Sequence, residues 1–152
     1  MQKIIPNLWF DGNAQEAVDY YVSVFPDGEI LSMEYYPQSA EEGLADFQLE
    51  LAGKVLTIEF ELFGTQFVAI NAGPEFTFNE SVSFSVPCKD QAEIDYFWEK
   101  LSAVAESEQC GWCKDKFGLS WQIVPENMDE LMKKPGAYKT LMDQHKIVIA
   151  EY

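Results

Sequence analysis

With 152 residues, 47% hydrophobic and 14% aromatic, the chain has the length and composition of one globular domain, which excludes disordered, fibrous and disulfide-stapled classes. Its 26 Asp and Glu against 10 basic residues give a formal charge of −16, which repels phosphate backbones and anionic lipid surfaces, so neither nucleic acid nor membrane is an expected partner. The opening MQKIIPNLWF meets Asp11 too early for a signal peptide, no stretch approaches the ~20 apolar residues of a membrane span, and three cysteines fit reduced thiols, so the expected location is cytoplasmic.

Taken in chain order, KIIPNLWF alternates like a strand and stops at Asp11-Gly12. Asn13 with Glu16 forms a capping-box pattern, so a helix is expected from there, with Ala17, Val18, Tyr21 and Phe25 on one face and Pro26-Asp27-Gly28 as its stop. A strand is expected at 29–36. Segment 39–53 carries two patterns: Leu44, Phe47 and Leu51 fit a short helix, whereas DFQLEL alternates like a strand; the helical reading is preferred. Strands 55–62 and 66–71 are joined at Phe63-Gly64-Thr65 as a hairpin. The pattern then restarts with a strand at 81–86, a second capping box at Asp90 and Glu93, and an amphipathic helix in QAEIDYFWEKLSAV. A helical tail is expected over 126–146.

A shift of 76 residues lays Leu8 and Phe10 over Phe84 and Val86, and Val18, Tyr21 and Phe25 over Ile94, Phe97 and Leu101, which marks a diverged internal duplication. On the strength of PNLWFDGNAQEAVDYYVSVFP, FVAINAGPEFTFNESVSFSV and CGWCKDKFGLSWQIVP, the chain resembles the vicinal oxygen chelate superfamily of glyoxalase I, extradiol dioxygenases and bleomycin-resistance proteins. More specifically, it resembles the PhnB-like branch, whose members often carry the label 3-demethylubiquinone-9 3-methyltransferase. The resemblance implies an α+β fold of two βαβββ modules, a curved mixed sheet around a cavity with the helices outside. A single glyoxalase-like domain is expected, with module one at about 1–74, module two at about 75–125 and the tail at 126–152. It also implies a homodimer.

Four motifs bear on chemistry. Cys110 and Cys113 have C-x-x-C spacing, but the resemblance places them on or before a strand that turns at Asp115-Lys116-Phe117-Gly118. Residues three apart on a strand point to opposite faces, and no helix follows to lower a thiol pKa, so packing is the preferred reading over redox or zinc chemistry. The superfamily's metal positions, carried over, are Asn7 and Val68, then Ser83 and Gln122. An amide, an apolar side chain and a hydroxyl make a poor shell for zinc, nickel or iron, so no metal and no cofactor is expected. His145, the single histidine, is expected on the solvated tail helix, and Glu59 and Glu61 at a solvated or sheet-end position. The methyltransferase label also lacks support in the residues, because FDGNAQ after the first strand is a capping sequence with one glycine rather than a glycine-rich turn.

What remains is a ligand pocket. Ser81, Ser83 and Ser85 alternate with Val82, Phe84 and Val86, leaving one strand face of small hydroxyls, and the equivalent face of the first strand carries Asn7 and Trp9. With Phe67 and Trp121 as apolar walls and Gln122 on the closing strand, the expected ligand-binding set is Asn7, Trp9, Phe67, Ser83, Ser85, Trp121 and Gln122. The same face could instead be solvated or meet a second subunit. A metal-independent small-molecule binder is the preferred function; an enzyme acting on a small oxygenated or aromatic metabolite and a dimeric scaffold without ligand are the alternatives.

Overall fold

The computed structural model describes residues 2–152 as two compact units, one reaching to Thr77 and one running from Phe78 to Tyr152. The first contains β1 (Asn7–Asp11), α1 (Ala14–Val24), β2 (Glu29–Tyr35), β3 (Val55–Leu62) and β4 (Thr65–Ala72), with sheet order β1-β4-β3-β2. Only β1 and β4 run parallel; the other pairs are antiparallel. Leu62 pairs with Thr65 across Phe63 and Gly64, whose φ values of 48° and 74° make the two-residue hairpin that matches strand twist. Phe63 tolerates this conformation at the surface, where its ring meets Phe25 edge-on at 5.2 Å.

Register decides which side chains meet α1. Phe60 pairs with Phe67 and stacks on it at 5.3 Å, and Tyr21 of α1 stacks on Phe60 at 6.4 Å. Leu8, Phe10, Ile58, Leu62 and Ala69 complete this buried layer with Ala14, Ala17 and Val18. The helix starts at Ala14 as the sequence predicts, but Asn13 does not cap it through its side chain. The cap comes from β4: buried Asn71 accepts from the Ala14 N–H at 3.1 Å and donates to the Val55 carbonyl at 2.9 Å, tying helix and two strands together. Segment 39–53 is helical, in two 3-10 turns at Ala40–Glu42 and Asp46–Leu51.

The second unit holds β5 (Ser83–Cys88), α2 (Gln91–Leu101), β6 (Trp112–Lys114) and β7 (Ser120–Pro125), in order β5-β7-β6. The architecture is glyoxalase-like α+β, with an open mixed sheet in each unit. Its second module is βαββ, however, not βαβββ. After α2, residues 102–111 make a 3-10 turn at Ala105–Ser107 and reach the β6 backbone only through the Ala103 N–H, which donates to Lys114 O, and the isolated bridge between Gln109 and Trp112. That stretch is dominated by small and acidic residues, without the apolar alternation that would hold a further strand against a core. Strand β5 begins two residues later than expected because its partner β7 begins at Ser120, opposite Ser83. Pro87 is accommodated because β5 is an edge. Asp90 caps α2 through the Glu93 N–H at 3.0 Å, while Glu93 reaches back to the Lys89 N–H. The duplicated positions match in three dimensions: Val18 and Ile94, Tyr21 and Phe97, and Phe25 and Leu101 are all buried on their helices' inner side.

The tail folds as α3 (Met128–Leu131) and α4 (Ala137–Asp143) and belongs to the second unit. Cys110 and Gly111 form a second two-residue hairpin turn, at φ 54° and 85°, between the paired Gln109 and Trp112. Their N–H groups donate to Gln144 O and His145 O, both at 2.8 Å. Glycine is required at 111 by space as well as by φ, since a Cβ there would lie 2.8 Å from Ile147 Cδ1. The side chain of Gln91 holds the tail from the other side, donating to Ile147 O at 3.0 Å and accepting from the Ile149 N–H at 2.8 Å.

Candidate functional site

On the face of the first sheet away from α1, β1 and β4 run side by side, with Asn7 opposite Val68 and Trp9 opposite Ile70. Beyond them the chain leaves β1 through Asp11-Gly12 and β4 through Gly73-Pro74-Glu75. Between these ends lies a cleft of about 460 Å³, whose lining includes Trp9, Tyr36, Phe47, Leu51, Ile70 and Ala72. The Trp9 indole N–H donates to Gly73 O at 2.9 Å and its ring meets Phe76 edge-on at 4.9 Å, so the ring is fixed from two sides. Tyr36 is buried and donates its hydroxyl to Asn71 O at 2.6 Å. Burial, and then the nearby Glu75 carboxylate, raise the Tyr36 phenol above its ordinary range. Phe47, on the second 3-10 turn, is 83% exposed and presents an aromatic surface with little of the protein covering it.

The expected site residues separate into two groups. Trp9 lines the cleft; Asn7 lies two residues before it on the same strand face, exposed, its amide donating to Ile5 O at 3.0 Å. In the second unit, Gln122 Nε2 donates to Ser83 Oγ at 2.9 Å, and Ser85 is exposed opposite Gln122 on the edge strand. Phe67 and Trp121 require correction. Phe67 is in the α1-covered core against Phe60. Trp121 is buried on the α2 side, 5.9 Å from Phe84, and its indole N–H donates to Asp115 at 2.9 Å. Each is adjacent in sequence to a residue of the open face, Val68 or Gln122, and strand neighbours point to opposite sides. Neither ring can wall a pocket on the face that carries Ser83 and Gln122 or Asn7 and Trp9.

Sequence reasoning missed Tyr36, Phe47, Asp11 and Glu75. Tyr36, Asp11 and Glu75 come from loops and strand ends, where periodicity carries no signal, and the periodicity that places Phe47 in a helical segment does not say what that segment faces.

Cys113 is buried on β6, and its desolvated thiol is pushed up to about 12; Cys88, equally enclosed, is pushed up to about 12 for the same reason. Cys110 lies in the turn before the strand, its sulfur 3.7 Å from Met142 Sδ. All three cysteines are free. Asp115 is the anchor of the β6–β7 turn, accepting from the Phe117 and Leu119 N–H groups at 2.8 and 3.0 Å as well as from Trp121. His145 lies in the bend after α4 rather than on a helix, exposed, with Nδ1 at the Glu108 carbonyl.

The superfamily's metal positions do not fit a metal. Asn7 is engaged with its own backbone, Val68 has no donor atom, and Ser83 and Gln122 bond to each other. Among the described residues no three His, Cys, Asp or Glu side chains are grouped to hold an ion, and no helix is long and apolar enough to cross a membrane.

The sequence profile of the 3-demethylubiquinone-9 3-methyltransferase family matches residues 2–124. The chain belongs to that family. It is 33% identical to a PhnB protein from Bacillus cereus, with 82% of this chain and 99% of that chain covered and a TM-score of 0.63. A Pseudomonas aeruginosa protein of 20% identity shares the fold with a TM-score of 0.60, covering 83% of this chain and 98% of its own. A gene product of Arabidopsis thaliana shares it at 22% identity and a TM-score of 0.51, covering 82% and 98%. No curated protein matches the chain. The PhnB-like family thus accounts for both units, while the tail from Pro125 onward lies outside the matched span.

Proposed function

We propose that this PhnB-like protein binds a small organic molecule without a metal ion, in the cleft of its first unit. The observation that carries the reading is Trp9, a strand residue turned away from the helix, locked by Gly73 and Phe76, and forming a wall of a cleft of about 460 Å³. That volume falls in the range of ~300–1,000 Å³ typical of small-molecule sites, and the mixture of aromatic walls with a few polar groups is their usual chemistry. The methyltransferase activity in the family's name belongs with a parallel doubly wound sheet and a glycine-rich turn. Here three of the five strand pairs are antiparallel. Pairing of two copies is part of the same proposal, and sedimentation at several concentrations tests it.

The test of binding is a tryptophan-fluorescence titration of the purified protein with small aromatic compounds. A saturable change that Trp9→Phe abolishes and Trp98→Phe leaves intact supports the cleft. Dialysis against a chelator should leave the titration unchanged; loss of binding that zinc or nickel restores overturns the metal-independent reading.

A further inference from the structure

The walls of the cleft are largely apolar, yet its rim is charged in one sense only. Apart from the Tyr36 phenol, the ionisable lining residues are Asp11, Glu50 and Glu75. Glu75 folds its carboxylate back over Gly73, where a Cβ would come within 2.8 Å of it, and so holds the charge beside the carbonyl that receives the Trp9 N–H. None of the three carboxylates has an ion-pair or hydrogen-bond partner among the described residues. The first unit has only two lysines, and neither lines the cleft; Lys54 opens on a neighbouring depression with Gly12, Asn13 and Glu16.

Three like charges around an apolar-walled cleft repel an anion and attract a cation, and an aromatic wall adds a preference for the same sign through its negative ring face. The geometry also separates two kinds of cation. Asp11, Glu50 and Glu75 do not converge on one point as metal ligands must. Carboxylates spread along a rim above aromatic walls match a longer ion with a charged head and an apolar body.

We propose that the cleft selects an organic cation: an amine or quaternary ammonium compound whose body lies against Trp9, Tyr36 and Phe47 and whose head is held by Asp11, Glu50 and Glu75. This rests on the binding reading above and names its ligand class. Calorimetric titration of the full chain with three compounds of one shape, 1-naphthylmethylammonium, 1-naphthalenemethanol and 1-naphthoate, tests it. The ammonium compound should bind at least tenfold more tightly than the alcohol, and the carboxylate should not bind measurably. The triple change Asp11→Asn, Glu50→Gln and Glu75→Gln should bring the ammonium compound to the level of the alcohol. Glu29→Gln with Glu34→Gln, exposed positions away from the cleft, should leave the preference intact. Should the triple variant fail to fold, Glu50→Gln alone carries the test through a severalfold loss for the ammonium compound only. Equal binding of ammonium and alcohol overturns the charge preference and leaves the binding reading standing, whereas no binding of any of the three overturns both. A preference that survives the triple change, or is lost equally in the control, reflects diffuse surface charge and also overturns the proposal.

Discussion

In the first unit 13 acidic residues are set against two lysines, whereas in the second the same number meets eight. The ion pairs Lys114–Glu80, Lys139–Asp143 and Lys146–Asp95 all lie in the second unit. Both units derive from one pattern, and the helix-facing positions repeat between them with the same burial. The open faces do not repeat. The second unit turns its polar groups inward on itself, in the Ser83–Gln122 pair, the three-donor Asp115 and the fastened tail, while the first leaves carboxylates unpaired around a cleft. Packing tolerates little change after duplication, because apolar burial fixes the helix-facing register. The opposite face carries no such constraint, and it is where the units have come to differ.

The largest effect expected is on the shared part of the pattern. Phe60→Ala removes a ring stacked between Tyr21 and Phe67 and should cost about 3–5 kcal/mol in denaturant unfolding, as should Phe97→Ala in the second unit. A cost below about 1 kcal/mol for either would show that the two cores are not equivalent. Next come the polar anchors, where the units should part. Asp115→Ala strands three donors and should cost about 3–4 kcal/mol, more than the ~2 kcal/mol of Asn71→Ala, whose neutral amide makes two bonds. Equal losses would break the contrast.

The alkaline limb of stability begins in the second unit, which holds all three cysteines, and the raised Tyr36 phenol of the first unit adds to it only above pH 10. Burial raises the Cys88 and Cys113 thiols from 9.0 to about 12, so the fold favours their protonated forms. Their contribution is fully present below pH 9 and is lost as pH rises toward 12, because the unfolded chain ionises first. The expected slope is ~1.4 kcal/mol per pH unit for each thiol. Unfolding free energies measured from pH 8 to 10.5 should flatten in the Cys88→Ala, Cys113→Ala double variant. An unchanged slope assigns the effect elsewhere. The smallest effect is Gln122→Leu, which removes a half-buried bond to Ser83 and should cost about 1 kcal/mol or less by thermal unfolding. A cost of several kcal/mol would mean that this face is as tightly packed as the helix side.

Much of the architecture was legible: the Phe63-Gly64 turn and the Asp90 cap have a short-range cause, the 76-residue shift exposes the repeat, and the family resemblance supplies the Asp115-x-x-Gly118 turn. The misplacement of Phe67 and Trp121 was avoidable in principle. Pairing Leu62 with Thr65 across the turn puts Phe67 opposite Phe60, and Trp121 cannot share a face with Gln122. The missing strand of the second module had one signal, the lack of apolar alternation in SAVAESEQ. The Asn71 cap and the cleft were hidden, because Asn71 reaches Ala14 across 57 positions and Trp9 reaches Gly73 across 64, contacts that no local pattern signals.

The fastening of the tail sets an order on synthesis. Every strand of the first sheet has been made by Ala72, but the clasp of Gln91 on Ile147 and Ile149 waits until residue 149 has left the ribosome. At ~5–20 residues per second, that interval is on the order of ten seconds. For most of it the first unit is complete, whereas β6, once made, still lacks the tail that receives the N–H groups of its leading turn. Nascent chains that lack the segment after Asp143 therefore carry a finished first half and a second half whose Cys110 and Gly111 N–H groups still want their carbonyl acceptors.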